Sequence, residues 1–439
     1  MRCVQSMRKS LPHYIECRYN EYVNRYVVLA LGFVLLIAIS RLSSPKQVVT
    51  PRAVSAQNAC VVGDSNGDGR VTLADFESWR RIFKGGVPTT GPGTNTPVPT
   101  SPPTATQPPP SGTPQDFPQI AVIAQNLEAV WGLAFLPNGS LLFTERPGRV
   151  RLYENGQVVT TPVATIPSVA AIEEGGLMGI AVHPQFATNG YVYLFHTYGT
   201  GPLDAKNRLI RMKYANRQLT NPETLIDAIP ATAIHKGGRI KFGPDGFLYI
   251  TTGDTNTPSL SQDTNSLAGK ILRVTDTGAA APGNPFNNLV YSYGHRNPQG
   301  IAWDSSGQLW ETEHGETALD ELNKITMGAN YGWPTIRGSQ TEAGMVTPVL
   351  NSAQETWAPA GMAIIGNSLY FGGLRSEALF KVTLPNASNL QTYFKTGDPG
   401  RIRDVVVGPD GMLYISTTNF GHNPRPNDDK IYRINPNKL

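Results

Sequence analysis

Residues 239–254 read RIKFGPDGFLYITTGD: an apolar run, a Pro-Asp-Gly turn, then a second run rich in β-branched and aromatic residues. An Asp-Gly step between two such runs predicts an antiparallel hairpin, because a tight reversal needs residues that tolerate positive φ. Outward from this stretch the pattern recurs as GLAFLPNGSLLFTE from Gly132, GIAVHPQFATNGYVYLFH from Gly179, GIAWDSSGQLWETEHG from Gly300, GMAIIGNSLYFGGL from Gly361 and DVVVGPDGMLYISTTN from Asp404. The copies stand roughly 45 to 60 residues apart, the period of propeller blades. Third and fourth strands are expected in the shorter runs at Arg149 to Tyr153, Arg208 to Tyr214, Gly269 to Val274, Leu379 to Thr383 and Lys430 to Ile434. One blade cannot bury both faces of its sheet, whereas a closed ring can. The expectation is an all-β fold, a six-bladed β-propeller over residues 118–439.

The chain before it differs in character. Tyr26 to Ile39, YVVLALGFVLLIAI, follows Arg2, Arg8, Lys9, Arg18 and Arg25. Basic residues ahead of an apolar run of this length fit an export signal or a retained membrane anchor, so residues 1–56 are read as one or the other and the propeller as extracytoplasmic: secreted, periplasmic or held at the cell surface. Residues 86–117 are proline, threonine and glycine with little apolar bulk, an extended tether. Between them, residues 57–85 carry Asp64, Asn66, Asp68, Arg70 and Asp75 at loop positions 1, 3, 5, 7 and 12, with Gly69 at 6. Oxygen donors at that spacing, with a main-chain carbonyl at 7, suit Ca²⁺.

Charge and cysteine usage narrow the function classes. A formal net charge of +4, with no lysine tract, gives no reason to expect nucleic acid. Cys60 alone follows the apolar run, so that part of the chain has no intrachain disulfide, and neither a CxxCH haem motif nor a paired-cysteine zinc motif is present. Electrons leaving this protein would pass to a separate acceptor.

Residues just before each first strand and just after each second strand share one rim of a propeller. Those slots hold Glu174, His235, Arg296 with Asn297, and Arg401 with Arg403 on one side of the hairpins, and Glu145, Arg146, Asp254, Glu313 to Glu316 and Arg375 on the other. Arg296, Arg375, Arg401 and Arg403 on one rim point to a ligand with several carboxylates or phosphates. His235 with Asp254 fits proton removal from an alcohol. Read singly, each arginine is a structural ion-pair partner and the histidine a packing residue.

The same residues carry a resemblance. WGLAFLPNG, EEGGLMGIAVHPQF, HKGGRIKFGPDGFLYITTGD, LAGKILRV, YGHRNPQGIAW, EHGETALDELNKITMGANYGWP and RIRDVVVGPDG are similar to the soluble quinoprotein aldose sugar dehydrogenases of the glucose/sorbosone dehydrogenase family, which use pyrroloquinoline quinone (PQQ). The resemblance implies His235 as general base, Asp254 as its acidic neighbour, and Arg296 and Asn297 around the reacting quinone oxygen. It implies Glu174, Arg375, Arg401 and Arg403 as cofactor-binding groups. Main-chain carbonyls of Gly315 and Glu316 would hold the calcium that touches PQQ, and Glu321 and Tyr331 fall where some relatives bind further calcium. Glu174 replaces a glutamine of the best-known relatives, Arg375 a lysine and Glu316 a proline, and the span from Tyr331 to Trp357 is short. Trp333 and Trp357 read either as stacking surface or as packing between blades. The Asp64 to Asp75 loop resembles half of a dockerin type I module, which implies a cohesin-like partner.

Three functions follow. The first is aldose or oligosaccharide oxidation to lactones. The second is a lactonase-type hydrolase, in which Glu145, Glu174, Asp254 and Glu313 cage a metal. The third is a non-catalytic recognition propeller on a stalk.

Overall fold

A computed structural model describes residues 118–395, 397–419 and 428–439, together with the backbone of two short strands, Arg2–Ser6 and Tyr14–Arg18, which pair antiparallel. The chain divides into two units, Met1–Val98 and Pro99–Leu439. The apolar run from Tyr26 to Ile39, the loop with Asp64, Asn66, Asp68, Arg70 and Asp75, and the proline-rich tether lie outside the described residues. Among the described residues no helix is long and apolar enough to cross a membrane.

The second unit is a ring of six antiparallel sheets. Blade 1 is built from Val130–Phe135, Leu141–Glu145 and Arg149–Glu154, with Gln157–Val158 and Ala164–Thr165 both pairing with its third strand. Blade 2 is Leu177–Val182, Tyr191–Tyr198, Lys206–Ala215 and Gln218–Pro230. Blade 3 is Ile240–Phe242, Leu248–Thr252, Lys270–Val274 and Val290–Tyr293. Blade 4 is Pro298–Trp303, Leu309–Glu313, Glu321–Ile325 and Leu350–Asn351. Blade 5 is Pro359–Ile365, Ser368–Gly373, Ala378–Thr383 and Ser388–Tyr393.

Blade 6 takes Ile402–Val407, Leu413–Thr417 and Asp429–Ile434 from the C-terminal end and its outer strand, Ile120–Leu127, from the beginning of the propeller. Ile434 pairs with Ile120 and Tyr432 with Val122, so the two ends of the domain are hydrogen-bonded into one sheet and the ring is closed. One hairpin departs from the expected simple turn: in blade 2 a single helical turn, Phe186–Asn189, precedes Gly190, whose φ of 63° reverses the chain.

Six apolar clusters line the sheet-to-sheet interfaces. Between blades 4 and 5, Trp310, Leu322, Phe371 and Phe380 are buried together. Each such side chain contributes about 1.5–3 kcal/mol. The innermost strands approach more closely than side chains allow. A Cβ at Gly179 would stand 2.3 Å from the Gly238 carbonyl oxygen, and one at Gly300 2.3 Å from that of Ala360. This is the physical reason that four of the six sequence copies begin with glycine.

Arg239 and Asp404 occupy that position in blades 3 and 6. Opposite one another in a ring of six, they meet across the axis, Arg239 Nη1 lying 2.8 Å from Asp404 Oδ2 with both side chains buried. The ion pair plugs the channel.

Candidate active site

Above this plug lies a cleft of about 430 Å³, lined by residues from all six blades. That is within the usual range for a small-molecule site. Its walls include Arg146, Glu174, Lys236, Asn297, Arg375, Arg401 and Arg403. Each stands at a strand end on the rim where first strands begin and second strands finish.

The arginines are held from below. Arg401 donates Nε to the Thr418 carbonyl at 3.0 Å and Nη1 to that of Leu374 at 3.0 Å. Arg403 donates Nη1 to Gln299 Oε1 at 3.1 Å, while its buried Nε has no protein partner. Burial, then the adjacent guanidiniums of Arg401 and Arg239, push Arg403 down to about 9, still protonated at neutral pH. Concentrated, partly desolvated positive charge of this kind is relieved by an anion. Trp131, with the guanidiniums of Arg239 and Arg403 at 4.3 and 5.6 Å from its ring centre, adds an aromatic wall.

His235 sits in the loop whose neighbours Ile234, Lys236 and Gly237 line the cleft. Its φ of 55° is a strained backbone value for a residue with a Cβ. Its N–H donates to Glu174 Oε2 at 2.8 Å, holding the loop in place. Nδ1 lies 2.7 Å from Asp254 Oδ1. A carboxylate only accepts, so Nδ1 carries the proton, and in the neutral imidazole Nε2 is the nitrogen with the lone pair. Asp254 is fully buried and also accepts from the Asn256 N–H and, through Oδ2, from Trp333 Nε1 at 2.8 Å.

Arg296 stands in an adjoining pocket of about 200 Å³ rather than among the residues lining the main cleft. Its guanidinium lies 5.2 Å from the Trp333 ring centre, Nη1 donates to the His314 carbonyl at 3.3 Å, and Nε is buried without a protein partner. His314 lines both spaces. Burial pushes it down to about 3, so the ring is neutral: Nε2–H donates to the Pro359 carbonyl at 2.9 Å and Nδ1 accepts from Asn297 Nδ2 at 3.3 Å. The smaller pocket is also lined by Gly315, Glu316, Glu313, Glu321 and Tyr331. Gly315 and Glu316 are the residues whose main-chain carbonyls the resemblance assigns to calcium. The Glu316 side chain pairs with Arg337.

The family model described as glucose/sorbosone dehydrogenase matches residues 127–423. The chain belongs to this family. The aldose sugar dehydrogenase YliI of Escherichia coli is 31% identical over 331 residues, covering 68% of this chain and 89% of that one. Quinoprotein glucose dehydrogenase B of Acinetobacter calcoaceticus is 33% identical over 258 residues, covering 51% and 54%. The solved PQQ-bound aldose sugar dehydrogenase of Streptomyces coelicolor superposes with a TM-score of 0.67 at 39% identity, covering 72% of this chain and 97% of that chain.

Within this glucose/sorbosone dehydrogenase propeller the four carboxylates of the hydrolase reading do not form a cage. Glu145 is bound to Arg149 and Arg151 at 2.6 and 3.3 Å, Asp254 to His235 and Trp333, and Glu174 to the His235 N–H. Glu174 and Asp254 are both engaged by His235, and Glu313 Oε2 accepts from the Arg296 N–H at 3.1 Å. Sequence reasoning also passed over two groups and left a third unresolved. Lys236, pushed down to about 8 by burial, donates to the carbonyls of Ala233 and Ile172 at 2.8 and 3.2 Å. Gln299 joins Arg403 to Asn297. Trp333, read as stacking or packing, instead fixes the free edge of Asp254. Trp357 packs within blade 5 against Phe371 and Phe380.

The indole hydrogen bond is testable. Trp333→Phe keeps the ring beneath Arg296 and removes only the donor to Asp254. A hydrogen bond to a charged group contributes about 1.5–3 kcal/mol. The expected result is a fall in kcat of about tenfold or more with little change in KM; a kcat within about twofold of wild type would remove Trp333 from the positioning of the dyad.

Proposed function

We propose that this chain is a PQQ- and calcium-dependent dehydrogenase that oxidises the anomeric hydroxyl of aldoses, including oligosaccharides with a free reducing end, to lactones outside the cytoplasm. The observation that carries the reading is the His235–Asp254 dyad at the edge of a cleft walled by Arg375, Arg401 and Arg403. Relatives named aldose sugar dehydrogenase and quinoprotein glucose dehydrogenase, and a structural neighbour bound to PQQ, support it.

The residues fit the cofactor. PQQ is a planar tricarboxylate, and the cleft offers convergent guanidiniums, the buried partnerless Nε of Arg403 and the Trp131 ring. Arg375, Arg401 and Arg403 would hold carboxylates, Glu174 and Asn297 would border the ring, and Arg296 and Asn297 would face the reacting carbonyl. The Gly315 and Glu316 carbonyl oxygens would hold Ca²⁺. When bound, the quinone supplies the two-electron acceptor for hydride from the anomeric carbon, with Ca²⁺ as Lewis acid.

The protein's own part is proton removal. His235 Nε2 takes the proton of the anomeric hydroxyl while Nδ1–H remains on Asp254, whose charge stabilises the imidazolium. Loss of one hydride and one proton leaves the lactone. The reduced cofactor then needs a separate electron acceptor. The reading extends to export or membrane tethering through residues 1–56 and to a calcium-loaded loop at Asp64 to Asp75 that engages a cohesin-like partner.

The full chain, supplied with PQQ and Ca²⁺, is expected to reduce an artificial electron-acceptor dye with a panel of aldoses only when both are present. Absence of PQQ binding by absorbance titration would sink the proposal and favour a recognition role.

A further inference from the structure

Blade 4 buries more carboxylate than its hydrogen bonds explain. Glu311 and Glu313 lie two apart on the second strand, so they share one face, and their cross-strand partners are Asn323 and Glu321. All four side chains are buried. An interface between sheets is ordinarily filled by apolar residues, and a desolvated carboxylate takes up either a countercharge or a proton. Among the described residues no lysine or arginine side chain forms an ion pair with Glu311, Glu313 or Glu321. Arg296, the nearest arginine in sequence, gives Glu313 Oε2 only its main-chain N–H, at 3.1 Å.

His295 completes the group. Its ring is fully buried and stacked on Tyr331, with centroids 4.7 Å apart. Nε2 lies 2.9 Å from Ser292 Oγ. Nδ1 faces Glu313 Oε2 at 3.4 Å without meeting hydrogen-bond geometry, and both Nδ1 and Glu311 Oε1 have no hydrogen-bond partner. With Nε2 engaged by Ser292, Nδ1 is the ring atom left facing the carboxylates. A buried ring nitrogen and a buried carboxylate oxygen that lack hydrogen bonds of their own are satisfied together by a proton or by a metal cation.

We propose that His295 Nδ1, Glu311 and Glu313 bind a divalent transition ion of the Zn²⁺ class. Their donor atoms lie within 4.8 Å of one another, so small side-chain movements bring them to metal bonds of about 2.0–2.2 Å. One imidazole nitrogen with two carboxylates favours Zn²⁺, Mn²⁺ or Co²⁺ over Ca²⁺, which takes oxygen ligands. The ligand set therefore differs from that of the calcium which the resemblance places at the neighbouring Glu321 and Tyr331, and Ser292 supplies the outer hydrogen bond that orients a ligating histidine. Burial of all three ligands makes the ion structural. It fastens the loop bearing Arg296 and Asn297 to blade 4, through Glu313 and the Arg296 N–H.

The test reads metal occupancy rather than sugar oxidation, so it stands or falls independently of the proposed function. The full chain is stripped with chelator, saturated with Ca²⁺ and titrated with Co²⁺. One Co²⁺ per chain, with visible d–d bands and a raised Tm, is expected; Glu311→Gln should weaken uptake at least tenfold. No stoichiometric uptake in the presence of Ca²⁺, or equal uptake by the variant, overturns the proposal. If the variant does not fold, X-ray absorption of the Zn²⁺-loaded wild type decides: imidazole scattering supports the site, and an oxygen-only shell refutes it.

Discussion

Replacing His235 with alanine should lower kcat for aldose oxidation by roughly 10²- to 10⁴-fold, the range spanned by positioned general bases, while PQQ affinity changes little. The split follows from the geometry. His235 is oriented by Asp254 at 2.7 Å, whereas the cationic wall of the cleft includes Arg401 and Arg403, whose holding bonds to Thr418, Leu374 and Gln299 involve neither residue. Truncation removes the proton acceptor and leaves the cofactor wall intact. Glu174 loses nothing either, because it binds the main-chain N–H of residue 235. Asp254→Asn should reproduce part of the loss. An amide at that position can donate to Nδ1, which selects the tautomer with its proton on Nε2 and blocks the base. Stopped-flow reduction of the PQQ-loaded protein by an aldose isolates this step from reoxidation. A His235→Ala rate within about threefold of wild type would exclude the histidine as base.

The repeats from Gly132 to Asp404 made the ring legible because hairpin chemistry is local: a Gly-containing turn between two apolar runs needs no knowledge of the partner sheet. Closure of blade 6 by Ile120–Leu127 was not legible, since nothing local records that Ile120 pairs with Ile434 across the whole domain. The rim argument placed Glu174, His235, Asp254, Asn297, Arg401 and Arg403 at one end because strand direction alone fixes which end of a hairpin a residue occupies. It could not separate Arg296 from the other arginines. Which of two neighbouring pockets a guanidinium enters depends on tertiary contacts, here the His314 carbonyl and the Trp333 ring. The same limit hid the Trp333–Asp254 bond, between residues 79 apart in sequence, and the Arg239–Asp404 plug. The glycines in four of six repeats were visible, but the meaning of the two exceptions emerged only when blades 3 and 6 proved to face each other.

Arg401 and Arg403 should control cofactor capture rather than the chemical step. A charge-assisted hydrogen bond contributes about 1.5–3 kcal/mol, so each alanine substitution should weaken PQQ binding by about 10- to 150-fold, with the double variant losing more than either. Stability should move differently. Arg403 sits beside Arg401 and Arg239, and its burial and those like charges disfavour its ionised form in the absence of an anion. Truncation relieves that cost and offsets the lost bond to Gln299 Oε1. The apo protein should therefore melt within a few degrees of wild type even as affinity collapses, and added salt should depress PQQ binding less in the variants because fewer screened charges remain. A purely structural arginine would give the reverse pattern, with a lowered Tm and little change in PQQ affinity. Calorimetry of the apo forms, paired with absorbance titration of PQQ at two ionic strengths, therefore separates a cofactor anchor from a scaffold residue.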